Sequence, residues 1–414
     1  MDYQTTTLQN GLRVIMLPSK SRVVYCGFQV AAGTRNEAPG EEGLAHLCEH
    51  GVFKGTERRT AMQILNCLES VGGELNAFTT KEGTVFYAAV LKENLAKAVD
   101  LLTDMVFRSN FPAAEMEKEK EVVCDEIESY NDSPADLIFD EFENILFKGH
   151  PIGHNILGSS DRVRSYTPAD AMRFTRRFYR PDNMVFFASG DVEFAKLQKL
   201  LTKAMVGVEK PVTDLAAIDD KKVTLAPYER PEGGVVEKKM DTHQAHVMIG
   251  TRAYDIHHPK RIALYLLNNI LGGPGMNARL NLSLRERNGL VYSVESTMVS
   301  YGDTGLWCVY FGCDPKDVSK CRRLVRQELD KLMKKELSAT KVSAAKRQIK
   351  GQIGVACDNR EQFALDFGKS FLHYGWEKDV ERLYAQIDAV TPQMMHEVAQ
   401  ELFAEERLTT LILH

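Results

Sequence analysis

The same order of elements occurs twice along this chain, and few folds can accommodate that. "AAGTR" closes a β-prone run at Arg35 and "MIGTR" closes another at Arg252, an offset of 217 that also carries Gly55 to Gly272. Later, "SYTPADAMRFTRRFY" resembles "AVTPQMMHEVAQELF", with Pro168 matching Pro392 at an offset of 224. Each is predicted to be a helix, and each precedes an apolar strand-type run, "MVFFAS" or "LTTLIL". A repeated order with matching turn residues points to a duplicated α+β domain. Two unrelated α+β domains sharing a chance tripeptide are the alternative. The division read from the sequence is 1–210, a linker at 211–233 mixing Pro, Gly and charge, and 234–414.

Within the first copy, Asn10-Gly11 between two β-prone runs suits a type I′ hairpin. "VVYCGFQVAAGTR" reads as a largely buried strand and "TVFYAAV" (84–90) as another, with helical stretches running on to about residue 145. A length of 414 residues allows two such domains, and the net charge of -5 provides no basic field for nucleic acid. No apolar run approaches the 18 or so residues of a membrane span, so no membrane partner is expected. The start, "MDYQTTTLQNGLRVIML", has neither the regions of a signal peptide nor the Arg/Ser richness of a transit peptide, so a cytoplasmic location is expected. The eight cysteines contain no CxxC pair and are expected to be reduced, mostly buried thiols.

"GLAHLCEHGVFKGT" (43–56) is the segment in which chemistry is concentrated. On a helix, His46 and His50 stand one turn apart on one face, with Glu49 beside them. Two imidazoles at i and i+4 can give two ligands of a tetrahedral zinc site, and the glutamate can work on water there. The order H-x-x-E-H is the inversion of the common zinc-protease motif. A capped helix with two satisfied histidines accounts equally well for these five residues taken alone. A third ligand would separate the two readings, and "EMEKEKEVVCDEIESYND" (115–132) is the place to seek it. Charged runs are usually solvated, yet Glu126 lies between Val122, Val123 and Ile127, and a carboxylate among apolar residues needs a partner. Glu119, seven residues earlier, faces the same way.

These segments resemble the pitrilysin/insulinase family of inverted-motif zinc peptidases, in its short two-domain, processing-peptidase-like form. "GLAHLCEHGVFKGT" is similar to its metal-binding helix, "GGELNAFTTKEGTVFYA" (72–88) to its substrate-binding edge strand, and "EKEKEVVCDEI" to its distal glutamate helix. "RERNGLVYSV", following "ILGGPGMNARL", resembles its arginine-tyrosine segment. The resemblance covers nearly the whole chain and implies an α+β fold of two similar duplicated domains, each an antiparallel-rich sheet with helices packed on one face. It implies one Zn²⁺ per chain on His46, His50 and Glu126, with Glu49 as general base and Glu119 tuning the site. It implies a peptide lying along Asn76, Ala77, Phe78 and Thr79, with Arg285 holding its backbone and Tyr292 stabilising the oxyanion. The expected activity is endopeptidase cleavage of extended, unfolded peptides within a homodimer whose active sites are composite. A non-catalytic structural subunit and a catalytic subunit needing an unlike partner are the competing readings.

Two residues depart from the family pattern. Cys48 and Gly51 stand where bulkier apolar residues are usual, and Gly51 is expected to loosen the helix end by about 1 kcal/mol. Shifting His46, Glu49 and His50 by 217 reaches Ala263, Leu266 and Leu267, so the second copy is apolar where the first is polar. "GHPIGHNILGS" offers His150 and His154, but Pro151 and Gly153 oppose a regular helix, and a structural loop is expected there. His243, His246, His257 and His258 are expected at the surface or in packing, and the glycine-rich "ILGGPGM" lacks the pattern of a phosphate loop.

Overall fold

The computed structural model describes residues 2–210, 212, 229–240 and 242–414, so most of the linker read at 211–233 lies outside the described residues. In chain order the elements of the first half are β1 (Gln4–Thr7), β2 (Arg13–Pro18), β3 (Val23–Val30), α1 (Leu44–Gly51), α2 (Ala61–Glu69), β4 (Glu74–Thr79), β5 (Thr84–Leu91), α3 (Leu95–Arg108), α4 (Ala113–Asn131), α5 (Pro134–Leu146), α6 (Ser160–Ser165), α7 (Pro168–Phe178), β6 (Met184–Gly190) and α8 (Phe194–Ala204). The second half holds β7 (Val235–Lys238), β8 (Ala245–Ala253), α9 (Arg261–Gly272), β9 (Val291–Ser300), β10 (Gly305–Cys313), α10 (Val318–Lys334), α11 (Ala339–Ala356), α12 (Arg360–Tyr374), α13 (Val380–Ala389), α14 (Pro392–Leu402) and β11 (Thr409–Leu413).

Two sheets result, ordered β1-β2-β6-β3-β5-β4 and β7-β11-β8-β10-β9. From β2 onward the orders correspond strand for strand. The single parallel pair in each, β2 with β6 and β7 with β11, falls at the same place, and every other pair is antiparallel. The duplication is therefore a property of topology, and the fold is α+β in two similar domains. The matched prolines mark equivalent helices: Pro168 and Pro392 each open an 11-residue helix behind a threonine cap and ahead of a central strand. The matched tripeptides do not mark equivalent positions. β3 stops at Val30, before "AAGTR", whereas Gly250, Thr251 and Arg252 lie inside β8.

The β1–β2 hairpin also differs from the type I′ expectation. Asn10 does not have positive φ, only Gly11 does (94°), and Gly11 N–H closes on the Leu8 carbonyl at 2.9 Å. This is a longer turn ending in a left-handed glycine, which still lets the strands pair from Thr7 with Arg13 outward.

The apolar runs in the strands are continuous because both faces of each sheet are covered. In the first unit, Phe28 and Phe186 join the core formed with α1, α3, α7 and α8. Their neighbours Gln29 and Phe187 face the other way and meet α12: the Gln29 side chain donates to the Leu365 carbonyl at 2.7 Å, and Phe187 lies 6.3 Å from Phe367. In the second unit, Val247, Ile249, Trp307 and Phe311 pack with α9, α10 and α14, while Met248, Cys308, Leu411 and Leu413 pack on Ile138, Phe142 and Leu146 of α5. Each domain thus keeps its own helices on one face and receives a helix from the other half of the chain on the opposite face. The compact units accordingly comprise Met1–Ser129, His154–Val223 and Ala356–Lys378, and Tyr130–Gly153, Thr224–Val355 and Asp379–His414. All eight cysteines are unpaired, with only Cys67 and Cys357 not fully buried. No described helix is long and apolar enough to cross a membrane.

Candidate metal centre

Helix α1 starts where backbone donors would otherwise be left bare. Gly43 takes φ +86° at its N-cap, against the Leu157 carbonyl and Gly158, where a Cβ would collide. The buried Glu37 carboxylate accepts from the Gly43 N–H at 3.1 Å and the Ala45 N–H at 2.7 Å. This satisfies two of the free donors of the first turn and places negative charge at the helix's positive end. His154 Nε2 meets the same carboxylate at 2.8 Å. Burial pushes the Glu37 carboxyl up, and the contacts from His154, Ala45 and Gly43 oppose that shift. His154 therefore braces the helix. His150 and Asp303, both in the second unit, lie 3.3 Å apart. Neither belongs to the histidine pair, as read from the sequence.

Leu44, Ala45, Leu47, Cys48 and Val52 are all buried, so α1 runs through the interior and carries His46 and Glu49 into it, 6% and 7% exposed. The rings of His46 and His50 lie 4.6 Å apart at 65°. Glu126, from α4, reaches the same place. Its Oε2 is 3.8 Å from His46 Nε2 and 3.5 Å from His50 Nε2, and one ligand atom from each of the three lies within 4.8 Å of the others. These separations are too long for good hydrogen bonds. They are close to the roughly 3.4 Å between donors that each sit about 2.1 Å from one tetrahedral ion. Three donors facing a common point without bonding each other fit a divalent metal such as zinc.

The surroundings set the protonation of these donors. His50 Nδ1 donates to Glu119 Oε1 at 2.8 Å, which leaves its Nε2 lone pair directed at the common point. Burial alone would lower His50, but the Glu119 hydrogen bond and the nearby Glu49, Glu119 and Glu126 carboxylates raise it. Burial and the neighbouring His50 push His46 down to about 3, so its ring is the neutral form a metal requires. Its Nδ1 is buried and has no hydrogen-bond partner among the described residues. Lys54 Nζ pairs with Glu119 Oε2 at 2.5 Å. Burial works against ionisation of Glu119, yet the contacts from His50 and Lys54 prevail and hold it below the usual range.

Glu49 extends toward the edge of the first sheet. Its Oε2 accepts from the Thr79 hydroxyl at 2.7 Å, and burial, resisted by that bond, raises its carboxyl. Thr79 ends β4, which among the described residues pairs with β5 alone and forms the sheet margin. Along β4 the side chains alternate. Glu74, Asn76 and Phe78 are more exposed, while Leu75, Ala77 and Thr79 turn inward. Cys48 lies away from the donors, its thiol 3.7 Å from the Ala171 carbonyl. In the second unit Arg285 belongs to a π-helical turn, Asn281–Glu286, and its guanidinium lies 5.8 Å from the ring of Tyr292, which is 84% exposed on β9. Ala263, Leu266 and Leu267 are buried in α9, so the second copy fills the equivalent helix with packing.

Sequence reasoning missed Lys54, Glu37 and the link from Thr79 to Glu49. Lys54 lies four residues past His50, a spacing that could have flagged it; Glu37 reaches α1 from the turn just before it, outside the usual cap position, and Thr79 only through the tertiary fold.

Residues 13–160 match the family described as "Insulinase (Peptidase family M16)", and residues 165–349 match "Peptidase M16 inactive domain". An "uncharacterized zinc protease" of Bacillus subtilis is 31% identical over 409 residues, covering 98% of this chain and 97% of that protein. Subunit beta of the mitochondrial-processing peptidase of Bos taurus is 29% identical over 405 residues, covering 95% and 81% respectively. The crystal structure of a protease from Helicobacter pylori superposes with a TM-score of 0.88 at 23% identity, covering 100% of this chain and 99% of that one, a likeness of fold.

Proposed function

Because this chain belongs to the insulinase family of peptidases, M16, we propose that it is a zinc-dependent endopeptidase that hydrolyses extended, unfolded peptides. The observation that carries this reading is the convergence of His46, His50 and Glu126 beside a buried Glu49 that is tied to the sheet edge. Zinc held by those three residues supplies Lewis acidity, polarising a carbonyl and making water easier to ionise. Glu49 uses Oε1, the oxygen not bonded to Thr79, to take a proton from the attacking water and later deliver it to the leaving amine. Glu119, anchored by Lys54, fixes the ring of His50. The peptide adds as a further strand along Asn76, Ala77, Phe78 and Thr79, held mainly by backbone hydrogen bonds. Arg285 and Tyr292, already in contact, hold the peptide backbone and the oxyanion. In this reading the working unit is a cytoplasmic homodimer. A complete donor set with its base favours an enzyme over a purely structural subunit.

Two conservative substitutions test the roles. Glu126→Gln is expected to lose most bound zinc and most cleavage of an unfolded peptide. Glu49→Gln is expected to keep zinc and lose cleavage by about a hundredfold or more. Zinc content by elemental analysis, set beside peptide turnover, checks both, and equal zinc loss in the two variants would reject the assignment.

A further inference from the structure

A second chemical feature lies wholly within the second unit, in residues the peptidase reading does not use. A cavity of about 300 Å³ opens beside α10, with a floor of buried apolar residues that includes Val325 and Leu329. Its rim is cationic. Arg322, Arg323 and Arg326 line it from α10 together with Ser319, a spacing of i, i+3, i+4 and i+7 that puts all four on one stripe of the helix. Arg230 also lines it.

Two of these guanidiniums are held in place. Arg230 donates through Nε to the Leu408 carbonyl at 2.8 Å and lies over Gly234, where any Cβ would collide with it. Gly234 is left-handed, with φ +67°, so both its conformation and its missing side chain suit this placement. Arg326 donates to Asp330 at 2.8 Å and to the Phe403 carbonyl at 2.7 Å. Arg322 and Arg323, by contrast, have no ion pair or hydrogen bond among the described residues. Asp330 offsets Arg326, and among the described residues Glu405 is the one carboxylate lining the cavity, so four guanidiniums share one small volume with less negative charge than positive. The arrangement has the physical form of a receptor: a concave apolar floor with a few convergent polar groups, two of them pre-positioned.

We propose that this cavity binds a small multivalent anion of the phosphate type, taken up by the guanidinium forks of Arg230, Arg322 and Arg323. Guanidinium matches phosphate oxygens in pairs of parallel hydrogen bonds, which a lysine cluster could not do. The ligand sits on the domain that lacks the metal donors, so occupancy can be read without reference to peptide cleavage.

Isothermal titration of the full chain with inorganic pyrophosphate tests this, with citrate as the multivalent carboxylate and potassium chloride at matched ionic strength as the control. Saturable binding of pyrophosphate is expected, absent with chloride. The variant Arg322→Ala/Arg323→Ala should weaken it at least about tenfold, and Arg322→Lys/Arg323→Lys should weaken it less, since charge remains while the fork is lost. Circular dichroism of the variants establishes that they are folded, and the lysine pair serves where the alanine pair is not. No saturable heat up to about 1 mM pyrophosphate, or equal affinity in wild type and the arginine variants, overturns the proposal. Binding of citrate without pyrophosphate overturns its phosphate character.

Discussion

Gly51 shows how one missing methyl group can organise a site. The sequence casts it as a weak point at the end of α1. In the structure a Cβ there would lie 2.7 and 2.8 Å from the ring of Phe111 and 3.1 Å from Met116 Sδ. Phe111 is itself 2% exposed and takes φ +45°, uncommon for a side chain of that size. The glycine therefore leaves room for the aromatic residue that brings the start of α4, and with it Glu119 and Glu126, against the histidine helix. Gly51→Ala gains about 1 kcal/mol of helix propensity but overpacks a closed core, which costs about 1–3 kcal/mol. The expected outcome is a net loss of stability in urea unfolding together with weaker zinc retention; a stabilised variant with full zinc content would contradict this. At this scale the sequence was informative where geometry is local. His46, Glu49 and His50 follow from helical spacing alone. Glu126 stood out by its apolar neighbours Val122, Val123 and Ile127, but its pairing with the histidines came only from family resemblance, because no local rule links residues on separate helices. Lys54 was legible in principle, being one turn beyond His50. Glu37 was not, since it caps Gly43 and Ala45 from outside the first turn, and its partner His154 arrives from a distant loop.

Among the elements, β4 bears most directly on function. It is a sheet margin with one partner, and its last residue is hydrogen-bonded to the proposed base. A ligand that joins such a margin must present free backbone donors and acceptors over several residues. An unfolded polypeptide can do so and a stably folded domain cannot. The protein is therefore expected to cleave a destabilised, unfolded variant of a small domain at least about tenfold faster than its folded parent, as followed by mass spectrometry. Equal rates would remove the edge-strand account. The strands themselves were readable as apolar runs, but what covers them was not. The apolar stripe of α5 looks the same whichever sheet receives it, so the exchange of α5 and α12 between the halves is invisible to periodicity. The tripeptide match misled in a similar way, pairing a turn with the interior of a strand.

For the whole molecule, the duplication was legible and its division of labour partly so. One copy holds the donors, and the other holds Arg285 beside Tyr292 and a packed apolar helix in place of the histidines. If each active site of a two-fold dimer takes its tyrosine from Tyr292 of the partner subunit, two dead variants should complement each other. Mixing Glu49→Gln with Tyr292→Phe is expected to restore up to about a quarter of wild-type activity on random subunit exchange. A mixture shown by native mass spectrometry to exchange, yet still inactive, would assign the two groups to one chain.

The exchanged helices have a consequence for how such a chain can come apart. Its six segments alternate between the two units, so the backbone passes from one to the other five times. A single cut anywhere along it still leaves at least four covalent crossings. Neither unit can be freed by trimming the chain to its own half, because each half would leave with a helix that completes the other sheet and without the helix that completes its own. The two copies are laced together like a shoe, and a protease would have to cut every crossing before either could be drawn free.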